Sequence, residues 1–268
     1  MNKSKVILNI VLVLAIYFII QVACTFAFVI PQLILSNYNN SSLTDFSNQF
    51  NEIIINDTGW ILIISSIITS LILILIKKIK LPDDFSCKRC SWKYVPYILF
   101  ASIVGILACN ILSEYLNLPN TIQDTIIDMI DKADGILAIA IIGPAAEEIL
   151  FRGAICEQML RSGAKPWTAI LVSALIFGIV HLNPAQIPFA TILGIMFGIL
   201  YYKTKSLIPS IILHIINNSL AVLMIIKYKD SPDMTLTDIF GTYSTPVIMI
   251  VGLGISIFMY QQYFIKKQ

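Results

Sequence analysis

The chain has 268 residues, of which 57% are hydrophobic and 13% charged, with a net charge of +2 and a mean hydropathy of +0.82. A soluble domain carries about 25% charged residues, so a soluble fold of this size is excluded for want of polar surface. Disorder is excluded by the same figures, and nucleic-acid binding by the small net charge and the lack of a basic stripe. The composition predicts an all-α, polytopic integral membrane protein whose partner is the lipid bilayer.

Eight apolar segments follow one another in a single membrane domain over 1–268: Val6–Leu35, Trp60–Ile76, Val95–Tyr115, Gly135–Leu160, Pro166–His181, Ile187–Tyr202, Leu207–Ile226 and Thr245–Ile265. The first three make an N-terminal part (1–116), the next four a core (117–226), and the eighth (245–265) closes the chain. Most suffice for a tilted helix across a ~30 Å hydrocarbon core. The fifth and sixth are short and flank Asn183-Pro184, which predicts a bent, partly buried hairpin. The first run is too long for the apolar region of a signal peptide and reads as an uncleaved helix, although Gln21 interrupts it. The Asn/Ser-rich stretch 36–58 reads as an external loop. Residues 120–134 have apolar positions of helical period and predict a short interfacial helix.

Of the 18 Lys and Arg residues, 14 fall on the side of the N-terminus, three (Lys132, Lys227, Lys229) on the other, and Arg152 within a span. This asymmetry predicts both termini in the cytoplasm. Cys24, Cys109 and Cys156 lie in spans as small apolar residues. Cys87 and Cys90 form a CxxC on a basic loop with no second ligand pair for structural zinc.

Ionisable groups inside a membrane are costly and mark function by default. Three clusters occur: Glu147-Glu148-Ile-Leu-Phe-Arg152, Phe177-Gly-Ile-Val-His181 and His214-Ile-Ile-Asn217-Asn218. Glu148 and Arg152, four residues apart, share a helix face and are expected to pair. One arginine neutralises one carboxylate, which leaves Glu147 as a candidate general base. At 1.5 Å per residue from the cytoplasmic ends, Glu147, His181, His214 and Asn218 lie about 21, 24, 14 and 20 Å deep. These depths overlap, although the residues come from three helices. His214 and Asn218, again four apart, are plausible oxyanion donors. Phe177 is expected to pack beside His181, and Asn217 to face away from Asn218 as a structural residue.

E-E-x-x-x-R, F-x-x-x-H and H-x-x-x-N, in this order on successive apolar helices, resemble the CPBP family of CAAX proteases and bacteriocin-processing enzymes. That family is also called Abi and includes the Ras-converting CAAX endopeptidase. The resemblance covers roughly residues 115–225, and Gly143-Pro-Ala-Ala and Phe151-Arg-Gly also suit it. It implies an eight-helix intramembrane endopeptidase acting on a membrane-associated peptide or protein. Glu147 and His181 would activate water, His214 and Asn218 would stabilise the oxyanion, and Glu148 and Arg152 would order the site. It favours a metal-free mechanism with no cofactor. Zinc held by the two histidines and Glu147 stays open as an alternative. So do a non-catalytic bacteriocin-immunity or partner-binding protein and, more weakly, a proton-coupled transporter. The Ile-, Asn- and Lys-rich composition points to a bacterial plasma membrane.

Overall fold

The computed structural model describes residues 3–35, 43–76, 78–79, 95–229, 231 and 234–265, and among them no strand occurs. The elements are α1 (Lys3–Leu35), α2 (Leu43–Leu75), α3 (Val95–Leu116), α4 (Gln123–Ile130), α5 (Ala133–Leu137), π1 (Ala138–Ile142), α6 (Gly143–Glu148), π2 (Ile149–Cys156), α7 (Glu157–Arg161), α8 (Pro166–Ile179), α9 (Gln186–Thr204), α10 (Ile208–Lys227), α11 (Leu236–Phe240) and α12 (Ser244–Ile265). Among the described residues six helices (α1, α2, α3, α9, α10 and α12) are long and apolar enough to cross a membrane. The protein is an all-α integral membrane protein. Of the other two expected spans, 133–161 alternates α and π turns, and α8 is a shorter apolar helix, as the short fifth segment predicts. Cys87 and Cys90 lie outside the described residues.

The helices pair as α1 with α2, α3 with α12, and α8 with α9. α1 and α2 are antiparallel: Gln32 donates to Asp57 near one end and Lys78 to Asn9 near the other. α3 and α12 are laced by Ser102–Tyr260 at 2.6 Å and Tyr115–Thr245 at 2.8 Å. The expected external loop at 36–58 is corrected, because α2 begins at Leu43. The polar composition hid an apolar face: Phe46 stacks on Phe50 and Ile53 is buried. Lys132 Nζ also donates to the Asn56 carbonyl at 3.0 Å, which ties this stretch to the turn before α5. The short amphipathic helix expected near 120–134 is α4, with Met129 and Ile130 buried.

The first π turn, π1, has a local cause. Pro144 has no N–H and its ring crowds the preceding turn, so a regular ladder cannot run through it. The Gly143 N–H reaches back five residues to the Ala138 carbonyl. A donor to the Ile139 carbonyl in the same π register would be residue 144, which is proline. That carbonyl is instead capped from outside by the Asn218 amide at 3.0 Å. A π turn inside an α-helix is rare and often accompanies function.

The α8–α9 hairpin forms as expected around Asn183-Pro184, but α8 ends at Ile179 and His181 sits in the turn beyond it. Leu182 adopts a left-handed conformation (φ 53°) to reverse the chain. Asn183 is fully buried and staples this turn to the loop after α3. Its Oδ1 accepts from the Thr121 N–H at 3.1 Å, and its amide donates to Asn120 Oδ1 at 2.9 Å. The two helices approach closely at Gly178, where a β-carbon would overlap Thr191 and the Ile187 carbonyl.

Candidate active site

Glu147 and Glu148 leave the end of α6 in different directions. The Glu147 side chain is 28% exposed and lines a cavity, whereas that of Glu148 is 0% exposed. The Glu148 Oε1 accepts from Arg152 Nη1 at 2.7 Å, the pair the spacing predicts. The same oxygen accepts from His214 Nδ1 at 3.0 Å, a contact that sequence spacing did not reveal. A carboxylate paired with arginine only accepts, so Nδ1 is the donor there and the ring orientation is set. His214 Nε2 then faces Glu147 Oε2 at 3.6 Å.

Arg152 is held on every side. Its Nη2 donates to the Gly194 carbonyl at 3.1 Å, and its guanidinium lies over the Phe177 ring at 4.5 Å and the Phe197 ring at 5.4 Å. Gly194 permits this approach: a β-carbon there would stand 3.2 Å from Nη2 and 3.0 Å from the Ala174 backbone. Phe177 also meets His181 and His214 edge-on, at 4.9 and 5.7 Å between ring centres. It packs beside His181 as expected and serves further as the apolar wedge between both histidines and the arginine.

His181 Nδ1 lies 2.8 Å from the Phe177 carbonyl. A carbonyl only accepts, so Nδ1 carries the proton, and in the neutral ring Nε2 is left with its lone pair. Asn218 donates one amide hydrogen to Ile139 and has a second to give. One expectation about this helix is corrected: Asn217 does not face away from Asn218. Its amide donates to Asn218 Oδ1 at 2.9 Å and both residues line the cavity. The side chains of adjacent residues converge because their amides are long enough to fold back over one helical turn.

Glu147, His181, His214 and Asn218 thus border one cavity of about 540 Å³, together with Tyr17 and Gln21 of α1. Overlapping depths had been readable; the lateral convergence is contributed by the π turns and the α8–α9 hairpin. The described contacts include no direct hydrogen bond between Glu147 and His181. Asn183, which positions the His181 turn, and Tyr17 and Gln21 on the opposite wall were not foreseen as part of the site. Gln21 carried a signal, as an amide in the middle of an apolar run.

Among the described residues no three His, Cys, Asp or Glu side chains are grouped to hold a metal ion. The Nδ1 of each histidine is bonded, to the Phe177 carbonyl and to Glu148, which leaves each Nε2 open, an arrangement that metal-ligating histidines also adopt.

Residues 132–220 match the sequence model of the Type II CAAX prenyl endopeptidase Rce1-like family. Over these residues the chain is similar to that family. The match lies within the 115–225 stretch that carries the motifs, and it includes Glu147, Glu148, Arg152, His181, His214 and Asn218. The chain is 35% identical over 89 residues to the membrane peptidase YdiL of Bacillus subtilis (strain 168), covering 33% of this chain and 36% of that protein. It is 28% identical over 151 residues to the membrane-embedded CAAX protease MroQ of Staphylococcus aureus (strain USA300), covering 54% of this chain and 61% of that protein. The chain thus spans between about a third and three fifths of the length of these curated relatives. No solved structure matches it.

Proposed function

We propose that the protein is an intramembrane endopeptidase that hydrolyses a peptide bond of a membrane-associated substrate without a metal. The observation that carries this reading is the meeting of one cavity-facing carboxylate, two histidines and an asparagine amide in a single cavity among membrane-crossing helices. The Rce1-like match over the same residues supports it. In this mechanism Glu147 takes a proton from water, and His181 Nε2 accepts a hydrogen bond from the same water and orients it. The oxygen attacks the scissile carbonyl carbon. The carbonyl π electrons move to its oxygen, and that oxyanion is met by the free Asn218 N–H and by His214 Nε2–H when the ring is doubly protonated. With Glu147 protonated at that point, Arg152 and His214 balance Glu148 and the oxyanion, which suits a low-dielectric site. Collapse breaks the C–N bond, and the proton held by Glu147 passes to the leaving amine. The products are a carboxylic acid and an amine, with one water consumed and Glu147 returned to its carboxylate form.

Purified protein is expected to cleave membrane peptides with unchanged turnover after chelator treatment and dialysis. Activity lost on chelation and restored by stoichiometric zinc would replace this mechanism with a metal-dependent one. No cleavage beside an active relative under the same conditions would instead favour a non-catalytic binding role.

The location proposed is a bacterial plasma membrane with both termini cytoplasmic, on the strength of the charge asymmetry and of relatives from two bacteria. Single-cysteine labelling at Lys3, Asp45, Lys88, Asp230 and Lys267 in a cysteine-free background tests it. Positions 3, 88 and 267 should react from the cytoplasm, and 45 and 230 from outside. Reaction of residue 45 from the cytoplasm overturns the orientation.

A further inference from the structure

The wall of the cavity that faces the catalytic residues is itself polar, although it is built from two of the most apolar helices in the chain. α1 contributes Gln21, and α2 contributes Ser66 and Thr69. Hydroxyls in apolar helices ordinarily satisfy themselves by bonding to a carbonyl of the preceding turn. Thr58, Ser65 and Ser70 of α2 do so, at 2.6, 3.2 and 2.8 Å. Thr69 does not. It is only 3% exposed, its Oγ1 has no hydrogen-bond partner among the described residues, and it borders the cavity. A buried hydroxyl without a partner is costly, and a group brought by a ligand would satisfy it.

The level of this wall follows from the packing register. α2 lies against the 133–161 segment with Gly59 beside Asp134 and Gly135, and Ile63 clustered with Ala138 and Ile142. Both chains advance in the same direction from these contacts. Some ten residues further along, Thr69 is level with the stretch around Ala145 to Glu147, at a rise of about 1.5 Å per residue. The antiparallel register of α1, given by Gln32–Asp57 and Asn9–Lys78, brings Gln21 alongside the Ser66–Thr69 stretch. Gln21, Ser66 and Thr69 thus stand across the cavity at the depth of the candidate base.

Resting on the peptidase reading, we propose that Gln21, Ser66 and Thr69 form a subsite that hydrogen-bonds the main chain of an unwound substrate segment and holds it against Glu147. An intact transmembrane helix satisfies its own amides and shields them from attack. A segment opened for hydrolysis exposes N–H and C=O groups, which are costly if left unpaired in the bilayer. A carboxamide and two hydroxyls each carry both a donor and an acceptor. They match a peptide amide in either direction, whatever its side chain. Such a wall selects for unwound conformation rather than for residue type.

The test uses two membrane peptides: an uninterrupted Leu/Ala helix, and the same peptide with a central Gly-Pro that unwinds it. Binding is measured to the full chain and to its Glu147→Gln form, so that affinity is read independently of hydrolysis. Gln21→Leu and Thr69→Val are combined on each, since both replacements suit apolar helices. The subsite requires tighter binding of the Gly-Pro peptide to the parent proteins, and loss of at least about tenfold of that preference in the double variants with an unchanged melting temperature. In the active form KM should rise by a similar factor while kcat holds. Equal affinity of parent and double variants for the Gly-Pro peptide, no preference in the parents, or a kcat loss at constant KM overturns it. A lowered melting temperature together with a uniform loss for both peptides assigns these residues to packing and also overturns it. If the peptides bind with the preference described yet no chain hydrolyses them, the subsite stands and the peptidase reading fails.

Discussion

Replacing Glu147 by Gln is expected to abolish detectable peptide hydrolysis while leaving the protein folded. Glutamine keeps the size and the hydrogen-bonding reach of the side chain but cannot hold the proton taken from water. Loss of a general base typically costs 10²–10⁴ in rate. The fold should tolerate the change because Glu147 is the partly exposed, cavity-facing member of the pair, and its one ionic contact, to His214 Nε2 at 3.6 Å, is long. His181→Ala should behave alike in turnover, since in the proposed mechanism its Nε2 orients the same water. The measurement is turnover beside the detergent melting temperature. Full turnover by Glu147→Gln would remove Glu147 from the chemistry, and a large fall in melting temperature would make it a structural partner instead.

Replacing Glu148 by Gln should produce the opposite balance, with a marked loss of stability accompanied by loss of activity. The Glu148 oxygen holds both Arg152 and His214, and the arginine is 1% exposed. Neutralising the carboxylate leaves a buried guanidinium without a counter-charge, beside the Gly194 carbonyl and two aromatic faces. Breaking a buried pair by removing one partner typically costs about 3–5 kcal/mol. The double change Glu148→Gln/Arg152→Met should regain part of the melting temperature, because no unpaired charge remains and methionine fills the space between Phe177 and Phe197. Turnover should stay low in the double variant, since His214 has lost the carboxylate that orients its ring. Abolished turnover with an unchanged melting temperature in Glu148→Gln would make Glu148 a participant in the chemistry.

Much of this arrangement is written along the chain. Apolar run lengths determine the membrane-crossing helices because a bilayer admits only segments whose backbone is internally bonded. The Glu148–Arg152 pair follows from helical spacing alone. The extent of α2 was hidden because Asn and Ser on one face masked the Phe46, Phe50 and Ile53 face on the other.

What composition and spacing by themselves determine is an all-helical membrane protein in which two glutamates, an arginine, two histidines and an asparagine lie at overlapping depths. The tertiary structure alone decides which of them touch. Pro144 forces a π turn whose orphan carbonyl is met by Asn218 from another helix, and Glu148 reaches His214 across 66 residues of chain. Depth is a local property, because the rise per residue is constant along a helix. Lateral contact depends on helix rotation and neighbour packing, which arise only when Gly178 and Gly194 let α8, α9 and Arg152 approach and the aromatic rings close around the ion pair.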